Sequence, residues 1–135
     1  ELEITESTMM RSTERSRAVL KELRALGTKL AIDDFGVGYS SLTYLKRLPI
    51  TRLKIDRGFI TEIPRDPDDV AIARAIIALG RALSLDVLAE GVETEQQKTF
   101  LLHEGCHTGQ GFAFARPMPV PELEPFLTRS RVLVA

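Results

Sequence analysis

The chain has 135 residues, 44% of them hydrophobic and 27% charged, with a net charge of −1. A balance this close to neutral offers no electrostatic footprint for a nucleic acid or an anionic membrane surface. No apolar run approaches the roughly 20 residues of a membrane-spanning helix, and the single cysteine, Cys106, excludes an internal disulfide.

Together with a start that lacks the pattern of a signal peptide, this composition fits a globular domain in a reducing cytoplasm. The chain opens at Glu1, already inside "ELEIT" (Glu1–Thr5), a stretch with the β-branched, alternating content of a strand. A chain that begins in a strand is expected to be a fragment of something longer. "TERSRAVLKELRALG" reads as a helix, with Ala18, Val19, Leu23 and Leu26 at helical spacing and Gly27 as its stop. "KLAID" (Lys29–Asp33) is a second strand, and "SSLTYLKRL" a short helix stopped before Pro49. "TRLKID" (Thr51–Asp56) is a third strand.

Asp66 is placed to cap the next helix, with Pro67 at its first position. Val70, Ala73, Ile76, Ile77 and Leu83 form its inward stripe. "DVLAE" (Asp86–Glu90) is a fourth strand, and "TEQQ" (Thr94–Gln97) is a capping box opening a helix that ends near Gly105. "HTGQG" is a short fifth strand or its exit, and "PELEPFL" a last helix. No internal repeat stands out. Strands alternating with helices predict parallel pairing and the α/β class, in which chemistry sits at the carboxyl ends of the strands.

Polar groups recur at those ends: Glu3 and Glu6, then Asp33 and Asp34, then Lys54 and Asp56, then Glu90, then Gln110. Packing alone does not account for acids and amides aimed at one rim. The adjacent pair Asp33–Asp34 is the sharpest case, because like charges side by side repel. Neighbours on a strand face opposite ways, so both reach one site only where the chain bends, a freedom that Gly36 and Gly38 supply. Clustered hard oxygens suit Mg²⁺, Mn²⁺ or Ca²⁺; the alternative is a solvated loop with one Asp capping the following helix.

Lys54, between Leu53 and Ile55, faces away from both and points into a barrel if those two pack under helices, or into water if the strand is an edge. "GVGYSSL" resembles a phosphate cradle but lacks the Lys-Ser/Thr ending of a P-loop. His103 and His107 flank the break at Gly105 and read as surface or capping histidines, and Cys106 as a small core residue.

The stretches "LEITES", "DDFGVGYSSLTYLKRLPITRLKIDRGFI", "AEGVET" and "GCHTGQGFAFARPMP" resemble the EAL-domain family of bacterial cyclic di-GMP phosphodiesterases over almost the whole chain. The resemblance implies the carboxyl-terminal part of one EAL domain across residues 1–135, a modified TIM (β/α)8 barrel that holds two divalent cations, Mg²⁺ or Mn²⁺, with Ca²⁺ inhibitory. The segments carrying the Glu-Ala-Leu motif and a metal-binding Asn are not in these residues.

By the resemblance, Glu3 binds the first metal, Asp33 bridges both, and Asp34 and Glu90 hold the second. Lys54 contacts the nucleophilic water, to orient or deprotonate it, and Gln110 hydrogen-bonds within the water and metal shell. Glu6 braces a lid that includes Phe35, Gly36 and Gly38, and Glu93 is a further supporting carboxylate. Val37 stands where Thr or Ala is usual. The implied reaction is hydrolysis of cyclic di-GMP to linear pGpG.

The implied partners are a second copy through the lid and upstream sensory or diguanylate cyclase (GGDEF) domains, in a cytoplasmic protein whose parent chain can carry a membrane anchor elsewhere. A receptor that binds cyclic di-GMP without cutting it is the alternative, and a purely structural domain a weaker one. A half barrel exposes sheet edges, so this piece alone is not expected to turn over substrate as a monomer.

Overall fold

The computed structural model describes residues 1–10, 14–38 and 45–129. Its elements run β1 (Leu2–Thr5), α1 (Glu6–Met10), α2 (Glu14–Ala25), β2 (Leu30–Phe35), β3 (Arg52–Ile55), a 3₁₀ turn (Arg57–Phe59), α3 (Pro67–Ala82), β4 (Asp86–Ala89), α4 (Glu95–Glu104), β5 (Thr108–Gly109) and α5 (Val120–Arg129). The strands form one sheet in the order β1-β2-β3-β4-β5, every neighbouring pair parallel. Sequential parallel order with intervening helices is the arrangement of an α/β barrel segment, and all five expected strands are present. The expected helix before Pro49 lies mostly outside the described residues; Leu45 and Leu48 at its end are buried in the core.

Burial explains why the central strands hold. Leu30, Ala31 and Ile32 of β2, and Leu53 and Ile55 of β3, have no exposed surface. Each large side chain of this kind contributes about 1.5–3 kcal/mol when fully buried. α3 covers the sheet with Ala73, Ile76, Ile77 and Gly80. Its start is built as expected: the Asp66 carboxylate accepts from the Asp68 and Asp69 amides at 2.8 and 3.2 Å, with Pro67 in the first turn, an arrangement that contributes about 1 kcal/mol. A Cβ on Gly80 would lie 2.2 Å from a Val87 methyl, so the helix approaches β4 as closely as its backbone allows.

α2 departs from its expected stripe. Val19 and Leu26 are 49% and 82% exposed, and none of its residues is fully buried. Leu20 packs against the core in their place. Periodicity marks an apolar band on a helix, but the neighbours decide which edge of that band is covered.

Candidate active site at the carboxyl rim of the sheet

The site is assembled around one cation. Arg52 and Lys54 alternate along β3 with Leu53 and Ile55, which pack in the core. Lys54 is therefore turned to the opposite face, as its neighbours required. It is 3% exposed, and its Nζ lies 2.8 Å from Glu3 Oε1, 2.7 Å from Asp33 Oδ1 and 2.8 Å from Glu90 Oε1. These acids come from β1, β2 and the exit of β4. The parallel register that pairs Glu3 with Ala31 and Lys54 with Leu88 brings their ends to one level. The edge-strand alternative for Lys54 is thereby excluded, since β3 is central.

Burial pulls the Lys54 ammonium toward losing its proton, but the contacts with Asp33, Glu3 and Glu90 outweigh it and hold its pKa above the ordinary lysine value. Glu90 shows the opposite balance. Burial raises its carboxyl, the Lys54 contact only partly offsets that, and the charges of Asp33 and Glu3 add to the rise. Gln110 Nε2 donates to the same Glu90 Oε1 at 2.7 Å, fixing that carboxylate from a second side.

Asp34 answers how adjacent aspartates share a site. It takes a left-handed backbone, φ 53°, and the β2–β3 register shifts between Ile32 and Phe35. Aspartate tolerates that conformation better than most residues. The bend thus begins at Asp34 itself, two residues before Gly36, which also has a positive φ of 106°, and the strand continues to Phe35. Carboxylate oxygens of Asp33, Asp34 and Glu90 lie within 4.8 Å of one another. Although Asp34 is exposed, some loss of hydration at its carboxyl and the nearby charges of Asp33 and Asp56 raise it. Asp56, one of the polar groups expected at the rim, also accepts from the Gly58 amide at 2.7 Å through its carboxylate and starts the 3₁₀ turn.

This donor set fits a divalent cation. It is all carboxylate oxygen, it is mutually repulsive, and Asp33 Oδ1 is buried with the Lys54 ammonium beside it but no aligned hydrogen bond. Glu3 joins the cluster through Lys54 rather than as a member of the closest trio.

The supporting residues fall into two groups. Glu6 is buried and accepts from the Gly36 and Gly38 amides at 3.0 and 3.3 Å. Those amides are the ones a phosphate cradle would offer, so Glu6 already takes that role, and a Cβ on Gly38 would lie 2.7 Å from Glu6 Oε1. Phe35 is buried at the end of β2. Glu93 is exposed, and its backbone amide is what ties in, donating to Gln97 Oε1 at 2.7 Å. His103 is exposed at the end of α4 and His107 is exposed beyond it, while Cys106 is buried with its thiol directed at the Val87 and Thr108 carbonyls.

Residues 1–117 match the EAL domain. The chain belongs to the EAL domain family. It is 58% identical over 122 residues to the bifunctional diguanylate cyclase/cyclic di-GMP phosphodiesterase MucR of Pseudomonas aeruginosa, covering 90% of this chain and 18% of that protein. The MucR phosphodiesterase solved with c-di-GMP superposes with a TM-score of 0.86, over 90% of this EAL chain and 49% of the solved one. The EAL domain of Mycobacterium smegmatis DcpA gives 0.88 at 46% identity, over 97% and 59%. Klebsiella pneumoniae BlrP1, solved with c-di-GMP and manganese, gives 0.78 at 39% identity, over 85% and 29%. The fold is thus part of the TIM-barrel-like EAL domain, and the chain spans about half of the solved MucR chain. Among the described residues no helix is long and apolar enough to cross a membrane.

Proposed function

We propose that this EAL chain supplies the carboxyl-terminal half of the active site of a cyclic di-GMP phosphodiesterase that opens its substrate to linear pGpG. The observation that carries the reading is the convergence of Glu3, Asp33 and Glu90 on the buried Lys54 ammonium, with Asp34 turned into the same cluster. Asp33, Asp34 and Glu90, with Glu3, are the residues that would hold Mg²⁺ or Mn²⁺. Bound there, such cations supply Lewis-acid activation of water and charge neutralisation at phosphate.

The chain's own groups do the rest. The Lys54 ammonium, held by Glu3, Asp33 and Glu90, is placed to donate to the attacking water or to a phosphate oxygen. Gln110 keeps one Glu90 oxygen engaged, so that carboxylate cannot rotate freely. Glu6 pins the turn after Asp34 through the Gly36 and Gly38 amides. Water attacks one phosphorus in line, the P–O bond to the 3′ oxygen breaks, and that oxygen leaves with a proton.

The proposal extends to a second copy of the chain docking through the turn after β2, to a bacterial cytoplasmic site, and to inhibition by Ca²⁺. It also extends to a cyclase or sensory domain elsewhere in the gene product. The test is turnover of cyclic di-GMP by the full gene product with Mn²⁺, Mg²⁺ or Ca²⁺. Conversion to pGpG with the first two is expected. Binding without conversion would make the protein a receptor, and neither binding nor conversion would overturn the reading.

A further inference from the structure

Gln97 is a glutamine buried to 4% exposure, and each end of its amide binds a different part of the rim. Its Oε1 accepts from the Glu93 and Thr94 backbone amides at 2.7 and 2.9 Å, and the Gln97 backbone amide donates to Thr94 Oγ1 at 3.2 Å, completing a capping box. That arm is ordinary helix capping. The other arm is not. Nε2 donates to the Ile60 and Thr61 carbonyls, both at 3.0 Å, in the segment that follows β3. One side chain therefore ties the exit of β4, which carries Glu90, to the exit of β3, which carries Asp56 and continues from Lys54.

The loops it joins touch elsewhere too. A Cβ on Gly91 would lie 2.7 Å from Arg57 Cβ, and one on Gly111 would lie 2.2 Å from the Val92 carbonyl oxygen. The Glu90 amide donates to Ile55 O at 3.2 Å, and the Val92 amide to Gln110 O at 3.0 Å. A displaced loop at Gly91–Thr94 would carry Glu90 away from Lys54 and Gln110. All four hydrogen-bonding positions of the Gln97 amide group are used or aligned toward partners, as a buried amide requires, so the clamp has one geometry.

We propose that Gln97 is a positioning residue that holds the exits of β3 and β4 in one register and so sets the spacing of Glu90 from Lys54. The inference rests on the phosphodiesterase reading for its kinetic readout, but not for its metal-binding readout. Gln97→Glu separates the two arms. A carboxylate still accepts from the Glu93 and Thr94 amides, as Glu does in capping boxes, but it cannot donate to Ile60 and Thr61. Thr94→Ala is the converse, losing part of the cap and keeping the bridge.

In the full gene product, Q97E is expected to weaken Mn²⁺ binding in calorimetry about tenfold and to lower kcat about tenfold with little change in KM, within the 10–100-fold range for residues that orient metal ligands. T94A is expected to lower Tm by a few degrees and leave both quantities within about twofold. Equal Mn²⁺ affinity in Q97E and the parent would overturn the proposal, as would parallel losses in Q97E and T94A. Should Q97E not fold, Gln97→Met removes both arms at similar volume, and its Mn²⁺ affinity is compared with T94A by the same criteria. Absence of turnover in the parent would count against the phosphodiesterase reading alone.

Discussion

Two cations two residues apart on β3, facing the same way, meet different fates. Arg52, near the amino end of the strand, pairs with Glu1 at 2.8 Å and Asp86 at 3.6 Å; Asp86 is 63% exposed. Lys54, near the carboxyl end, has three acids within 2.8 Å and almost no solvent. The amino end carries two ion pairs that keep some contact with water, Arg52 being 17% and Glu1 22% exposed, and together they contribute about 1 kcal/mol. At the carboxyl end the charges are concentrated where water is excluded, and that raises the stakes of every partner removed. Structural and chemical charge can thus be separated on one strand, and mutation can test the separation.

The largest effect is expected from Asp33→Asn in the full gene product. It should keep the fold by circular dichroism and lower turnover of cyclic di-GMP by about a hundredfold or more, the scale on which a group stabilising transition-state charge acts. Full turnover would remove Asp33 from the site. Lys54→Met should come next. It strands Glu3, Asp33 and Glu90 together, and cation-free protein should lose about 3–5 kcal/mol in urea unfolding. Added Mn²⁺ should recover part of that loss, because a divalent cation offsets the same repulsion.

The pH dependence should be of intermediate size. Glu90, through burial, and Asp34, through local loss of hydration and the charges of Asp33 and Asp56, hold their protons to higher pH than usual. A cation needs both carboxylates ionised, so Mn²⁺ affinity should begin to fall on acidification above the ordinary carboxylate range. Glu90→Gln should flatten that profile in calorimetry while weakening binding. Without cation the sign reverses for stability: a raised carboxyl favours the folded state while protonated, and loses that contribution as pH rises through its value. The smallest effect belongs to Arg52→Ala, at most about 1 kcal/mol of stability with Mn²⁺ affinity unchanged. A loss of affinity there would show that the two ends are coupled.

Much of this was legible along the chain. Apolar alternation and capping residues placed the expected strands and helices to within one or two positions at most boundaries, because hydrogen-bond caps and strand periodicity act over a few residues; the short α1 (Glu6–Met10) was not foreseen. The rim acids followed from where the strands ended, and the direction of Lys54 from its neighbours. Beyond these, α2 shows the limit: its covered edge depends on what it rests against, not on its own spacing.

By itself, the sequence determined the α/β alternation, the EAL resemblance and the roster of groups at the rim, since each rests on local periodicity or on motif residues. Only the tertiary structure decided that Glu3, Asp33 and Glu90 share one ammonium, that the bend falls at Asp34, that Asp56 presses on it, and that Gln97 joins two loops. Those contacts span up to 51 positions between Glu3 and Lys54 and 37 between Ile60 and Gln97. Strand register and helix packing bring such distant residues together, and no local spacing encodes those distances.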